Sequence, residues 1–197
     1  MTAMPLPVVC ISHAEGAGGP DVGRLVAEEL GYRYADEEII AVAARERGLY
    51  PEAVLLAESR TAGRSIDVDF SRIEKTETLR ELIREAIAET AGDAGVVIVA
   101  HAASYALAGR GDVLRVLVTA SAETRSRRIS EAEELDEKLA AKIVKESDKG
   151  RAAYIDRFYD VDHELPTHYD LVVNTDHLSR ETAVRLIVTA TGGGPGS

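Results

Sequence analysis

The residues best placed to do chemistry form a glycine-rich segment, Gly16-Ala17-Gly18-Gly19. The segment lies between an apolar run at residues 6–12 and a helical stripe that starts near Pro20. Backbone N–H groups converge at the start of a helix, where the helix dipole also favours negative charge. Glycines allow a tight loop and the close approach of a ligand. The pattern predicts a phosphate-binding loop at Gly16, Ala17, Gly18 and Gly19.

This loop departs from the standard phosphate-binding pattern of Gly, four residues, a second Gly, Lys and then Ser or Thr. His13 stands at the first glycine, Gly19 at the lysine and Pro20 at the hydroxyl residue. On the loop alone, an ordinary glycine-rich turn between a strand and a helix explains the sequence about equally well.

A second candidate is the basic segment between residues 142 and 157, which also contains Asp148. Asp148 and Arg151 are three residues apart, so they share one face of a helix. Spacing alone favours a solvated charged face with surface ion pairs. The basic residues of this segment are Lys142, Lys145, Lys149, Arg151 and Arg157.

The elements that must position these residues alternate along the chain. Short apolar runs of the fully buried kind predict strands at residues 6–12, 96–99, 114–119 and 171–174, with a brief strand at 32–35. Helical patterns separate them, at residues 20–30, 37–47, 73–87, 102–109, 122–129, 135–158 and 179–190. Strands that alternate with helices indicate a parallel sheet with helices on both faces.

Taken in order, these segments resemble the cytidylate-kinase-like family of small bacterial P-loop proteins. The resemblance covers most of residues 7–190, and its collinearity is more specific than any single motif. It implies an α/β fold of the P-loop NTPase type, with a five-stranded parallel sheet flanked by helices and a helical lid at 130–160. The chain is expected to be a single domain. Residues 48–95 are a candidate substrate-binding insertion, and the glycine-rich residues 191–197 are expected to form a flexible tail. The matching segments are 11–19, 22–36, 97–99, 114–120, 147–159 and 169–175.

The resemblance also implies an activity, which is phosphoryl transfer from ATP, with Mg²⁺, to a nucleoside monophosphate or similar small phosphorylated substrate. The glycine loop would hold the donor phosphate. Arg151, Arg157 and Lys149 would neutralise the transferring phosphoryl group. Substrate contacts would come from Asp36, His101 and Asp148.

Three departures from the family pattern weaken the case for catalysis. Residues 100–102 are Ala-His-Ala where the family usually has Gly-Arg-Gly, and His101 cannot make the two-pronged phosphate contact of an arginine. Pro20 and Glu37 also stand where basic residues are common. A degenerate, non-catalytic module that binds a nucleotide or phosphate is the alternative, and a structural dimer subunit is the third hypothesis.

Composition and charge limit the other kinds of protein that this chain could be. A net charge of −11 makes a nucleic-acid partner unexpected. The single cysteine, Cys10, lies in an apolar run and is expected to be a buried, inert thiol. One cysteine cannot form an internal disulfide, which suits a reducing cytoplasm, so a cytoplasmic protein is expected. No apolar stretch approaches the ~20 residues of a membrane span. His163, His168 and His177 lack metal-ligand spacing, and no protein metal site is expected. A homodimer is left open.

Overall fold

The computed structural model describes residues 6–36, 84–92, 94–100 and 102–192. Its centre is a five-stranded sheet in the order β2-β3-β1-β4-β5, in which every neighbouring pair is parallel. The fold class expected from the sequence is therefore confirmed. The strands are β1 (Val8–His13), β2 (Arg33–Ala35), β3 (Val96–Val99), β4 (Val113–Thr119) and β5 (Leu171–Asn174).

Helices lie on both faces of the sheet because successive strand residues point to opposite faces. A helical segment also covers residues 84–90, and a 3₁₀ turn spans Pro166–His168. None of the described helices is long and apolar enough to cross a membrane. The helices are α1 (Gly19–Leu30), α2 (Ala103–Ala106), α3 (Ala122–Glu133), α4 (Glu137–Tyr159) and α5 (Arg180–Ala190).

Two hydrophobic clusters fill the layers above and below the sheet. Val9 and Ile11 of β1 pack with residues of α1 and α5, whereas Val8 and Cys10 pack with the opposite layer, which includes Ile155 of α4. Both faces of β1 are therefore buried, which explains the uninterrupted apolar run in this part of the sequence.

The helix ends follow the local sequence. Gly31 ends α1 with a φ of 65°, a left-handed conformation that glycine adopts without strain. Asp136 caps the start of α4 by accepting a hydrogen bond from the Lys138 N–H. The helix expected at 102–109 is shorter than its pattern, since α2 ends at Ala106, and α3 continues beyond residue 129 to Glu133.

The part of the chain expected to be the lid is a packed helix. The first half of α4 buries Ala140 and Val144 against Ile129 of α3, and its second half places Ile155 and Phe158 in the core. The helix expected at 37–47 and the segment 48–83 of the expected insertion lie outside the described residues, as does most of the expected tail.

Candidate functional site

The glycine loop joins the carboxyl end of β1 to the start of α1, as the sequence predicts. β1 is the middle strand of the sheet, so the loop lies at the centre of the edge where all five parallel strands end. Gly16 has a φ of 77° and Gly18 a φ of 83°. Both values are in the left-handed region, and Gly18 is the N-cap of the 12-residue helix α1.

The packing around each glycine differs. A Cβ atom at position 16 would lie 2.9 Å from the backbone oxygen of Arg125, and one at position 19 would lie 2.3 Å from the Cβ atom of His13. No described atom lies within 4 Å of a Cβ atom built on Gly18. Gly16 and Gly19 are therefore required by close packing, whereas the described residues leave the space above Gly18 open.

Three of the loop's N–H groups are available to a ligand. The Ala14 N–H donates to Val118 and the Ala17 N–H donates to Ala14 O. Within the described part of the chain, the N–H groups of Gly16, Gly18 and Gly19 have no hydrogen-bond acceptor. Free N–H groups at the start of a helix form an anion site.

Side chains hold the loop from its other side, through its carbonyl oxygens. Four carbonyl groups between His13 and Ala17 each accept a hydrogen bond from a side chain outside the loop. The pairs are Arg151 to His13 O at 3.1 Å, Arg125 to Glu15 O at 3.3 Å, Arg128 to Gly16 O at 3.5 Å and Thr175 to Ala17 O at 3.0 Å.

Arg125 is buried at the start of α3 and forms a two-pronged ion pair with Asp148 of α4. Its Nη1 and Nη2 atoms donate to Oδ1 and Oδ2 at 2.8 Å each, and its Nε donates to Ala120 O at 3.0 Å. Planar guanidinium and carboxylate groups match in this geometry, which makes it the stronger form of ion pair. Asp148, expected to contact substrate, is therefore bound to a partner within the protein in this structure.

Arg151, which is also buried, forms the second two-pronged ion pair, with the partly buried Glu164. Its Nε donates to Oε2 at 2.8 Å, its Nη2 donates to Oε1, and the Tyr169 hydroxyl also donates to Glu164. Burial alone would raise the pKa of Glu164, but the bonds and charge of Arg151, together with the Tyr169 hydroxyl, outweigh burial and hold that pKa below its ordinary value. Burial alone would lower the pKa of Arg151, and its bonds to Glu164 raise it instead. Both groups are therefore ionised.

These two ion pairs line a cavity of about 210 Å³. The cavity lies between β4 and α4 and reaches the glycine loop at Ala14. Arg125 and Arg151 contribute its positive charge, and Asp148, Asp162 and Glu164 contribute its negative charge. A small anionic group could be bound here by exchange with one of the carboxylates.

The structure brings some of the expected residues together and separates others. Asp148 and Arg151 line the same cavity, as their spacing predicts. Lys149 lies about 200° around α4 from Arg151 and pairs with Glu146 on the surface at 3.0 Å. Arg157 is exposed in the last turn of α4, about 240° from Arg151. The described contacts do not bring Lys149 or Arg157 to the loop cluster, and their grouping with Arg151 stays a prediction.

The two other expected substrate contacts are not brought to the loop by the described contacts. Asp36 is half-buried and directly follows β2, at the same edge of the sheet as the loop. His101 lies outside the described residues. The roles proposed for both stay predictions.

Sequence reasoning missed four residues of the site, Arg125, Arg128, Glu164 and Thr175. None of them belongs to a short motif with the glycine loop. Arg125 and Asp148 are 23 positions apart, and Thr175 and Ala17 are 158 apart. The one available signal is that residues following the ends of β4 and β5 must lie beside a loop that follows β1.

The free thiol of Cys10 is expected to be unreactive in the native protein. Burial raises its pKa to about 12, so roughly one molecule in ten thousand carries the reactive thiolate at about pH 8. A disulfide reagent should label less than a tenth of the protein in one hour, and all of it after unfolding in guanidinium. Rapid native labelling would show that the strand layer around Cys10 opens readily.

The parallel sheet and the glycine loop on its middle strand define the class of the protein, an α/β protein with the fold of the P-loop kinases. The chain belongs to the cytidylate kinase-like family, whose family model matches residues 8–177. The resemblance found in the sequence is thereby confirmed.

Individual relatives support the same family assignment. The cytidylate kinase of Natronomonas pharaonis is 30% identical over 182 residues, which cover 92% of this chain and 86% of the relative. The cytidylate kinase of Aeropyrum pernix is 31% identical over 180 residues, which cover 90% and 95%.

Solved structures agree with the fold. An uncharacterized protein from Eubacterium ventriosum superimposes with a TM-score of 0.68 at 19% identity, covering 93% of this chain and 97% of that one. A shikimate kinase from Bacteroides thetaiotaomicron gives a TM-score of 0.55 at 16% identity, with the same coverage. Identities this low bear on the fold alone.

Proposed function

We propose that this protein transfers a phosphoryl group from ATP to a nucleoside monophosphate, with CMP as the first acceptor to test. The observation that carries the proposal is the set of free N–H groups at Gly16, Gly18 and Gly19, beside a cavity with two buried arginines. The family and its cytidylate kinase relatives support the choice of acceptor.

The loop would bind the donor phosphates through its backbone. Mg²⁺ would supply positive charge that lowers the repulsion between those phosphates. Pro20 supplies no hydroxyl, and no group of three His, Cys, Asp or Glu in the described ranges could hold a metal. With no hydroxyl at position 20, the ion would be held largely by the nucleotide and water.

Arg151 and Arg125 would stabilise the charge of the transferring group. Phosphoryl transfer needs positioning and electrostatic stabilisation more than covalent help from the protein. The acceptor oxygen of a monophosphate is already an anion, so no general base is needed. Because Glu164 and Asp148 now bind the two arginines, a phosphate would have to displace a carboxylate or share its guanidinium.

The test is a thermal-shift panel of nucleoside mono- and triphosphates with Mg²⁺, followed by a coupled turnover assay on ATP with CMP. A ligand that binds only the native state must raise Tm. We expect ATP and CMP each to raise Tm and the pair to give turnover. If no nucleotide raises Tm and none is phosphorylated, the proposal is wrong.

A non-catalytic nucleotide-binding module is the second candidate function. Gly19 in place of the lysine and the two arginines already bound by carboxylates favour it. Clear nucleotide binding without turnover for any monophosphate would select this alternative.

Substituting Gly18 by valine is expected to weaken ATP binding more than tenfold while the fold survives. Valine is strained at a φ of 83°, but its side chain meets open space, so it blocks the ligand rather than the core. Gly109→Val is a matched control, because Gly109 has a φ of 84°, also faces open space and precedes β4 at the opposite edge of the sheet. Calorimetry should show weak binding for Gly18→Val alone, with similar falls in Tm for both. Equal ATP affinities in the two folded variants would show that the glycine loop is not part of the ATP-binding site.

A further inference from the structure

Arg128 and Thr175 form a connected pair beside the glycine loop. Arg128 is half-buried on α3, and Thr175 is buried directly after β5. The Arg128 Nη1 donates to Thr175 Oγ1 at 3.0 Å, and its Nη2 donates to Thr175 O at 2.6 Å. Thr175 Oγ1 in turn lies 3.0 Å from Ala17 O and 3.2 Å from Thr119 O.

The direction of these hydrogen bonds follows from the number of protons. A guanidinium can only donate, so the Thr175 hydroxyl accepts from Arg128. The single hydroxyl proton is then left for a carbonyl, and Ala17 O is the nearer one. Arg128 therefore orients the hydroxyl toward the loop, and its Nη1 also reaches Gly16 O at 3.5 Å.

Holding a loop carbonyl fixes the direction of the next N–H. In a trans peptide the C=O of one residue and the N–H of the following residue point in opposite directions, and the described chain has no cis peptide. Thr175 holds Ala17 O, so the Gly18 N–H points away from Thr175. Gly18 is one of the residues whose N–H group is left for a ligand.

We propose that Arg128 and Thr175 are positioning residues that hold the glycine loop by its carbonyls and thereby aim the free Gly18 N–H at the phosphate. The proposal rests on the proposed function, in that the loop binds a phosphate. It gives Arg128 an indirect role, through Thr175, rather than direct contact with the nucleotide.

Three variants and two conservative controls test the pair. Thr175→Val keeps the shape and removes the hydroxyl, and Thr175→Ser restores it. Arg128→Ala removes the donor, and Arg127→Ala is the control because Arg127 is the neighbouring arginine, exposed and paired with Glu131. The double variant Arg128→Ala/Thr175→Val measures whether the two residues act as one unit.

The first readout is the Kd of ADP by calorimetry. We expect Thr175→Val and Arg128→Ala each to weaken binding about fivefold to tenfold, and the double variant to be no worse than the stronger single one. Thr175→Ser and Arg127→Ala should stay within about twofold of the wild type. A strong effect of Arg128→Ala with none from Thr175→Val would mean direct contact with the nucleotide and would overturn the proposal.

The second readout needs no ligand. The Ala17 N–H is protected by its hydrogen bond to Ala14 O within the loop, and its hydrogen exchange measured by NMR reports the loop conformation. Exchange at Ala17 should accelerate at least about fivefold in Thr175→Val and Arg128→Ala. Unchanged exchange in both variants would overturn the proposal. If the wild type binds no ADP, the proposed function fails, while the Ala17 exchange still decides whether the pair holds the loop.

Discussion

Replacing Arg151 with alanine is expected to lower kcat for CMP and ATP by about 100-fold or more. Arg151 is a buried cation at the cavity beside the glycine loop, and its bond to His13 O ties it to the end of β1. A guanidinium there stabilises charge mainly in the transition state, so KM should change less than kcat. The measurement is steady-state kinetics on both substrates.

Stability must be separated from catalysis in this experiment. Arg151→Ala leaves the Glu164 carboxylate without its main partner, which destabilises the fold. The double variant Arg151→Ala/Glu164→Gln removes the uncompensated charge and should recover much of the lost Tm without recovering kcat. Arg185→Ala, an exposed arginine on α5, is the control for the loss of an arginine. If kcat returns together with Tm in the double variant, Arg151 has a structural role only.

Most of the fold could be predicted because its signals are local. Each of these signals determines the conformation of the residues next to it. Examples are the buried run that becomes β1, the glycines that precede α1 and the Gly31 that ends α1. Parallel topology then follows from the alternation of strands and helices. The short α2 is the exception, because its helical pattern at 102–109 is overridden by the turn that leads into β4.

The site was predictable only in part because its contacts are not local. Arg128 and Gly16 are 112 positions apart and meet because β4 and β5 end beside β1. Sequence spacing on one helix placed Asp148 and Arg151 together, and they do share a cavity. Spacing could not show that carboxylates of the same chain already bind Arg125 and Arg151. Arg125 lies on a different helix from its partner Asp148, and the partner of Arg151, Glu164, follows α4 in an irregular segment.

The two main departures of the loop from the standard pattern are physically linked. A Cβ atom at position 19 would lie 2.3 Å from His13 Cβ and 2.4 Å from His13 Cγ. Atoms this close overlap, so a side chain at position 19 requires either that position 13 lacks a Cβ atom or that the backbones of β1 and α1 shift apart. The standard pattern meets that condition with glycine at the first position and lysine at the second.

The expected result is that lysine at position 19 improves function only when position 13 is glycine. Gly19→Lys alone should lower Tm and weaken ATP binding, whereas His13→Gly/Gly19→Lys should bind ATP about tenfold to a hundredfold more tightly than His13→Gly.

His13→Ala/Gly19→Lys is the sharpest control: it removes the imidazole ring but keeps the Cβ atom that overlaps, so it should resemble Gly19→Lys alone. Tm and the Kd of ATP are to be measured for the wild type and the five variants, including His13→Ala. Equal gains with alanine and glycine at position 13 would show that the ring, and not the backbone approach of β1 to α1, excludes the lysine.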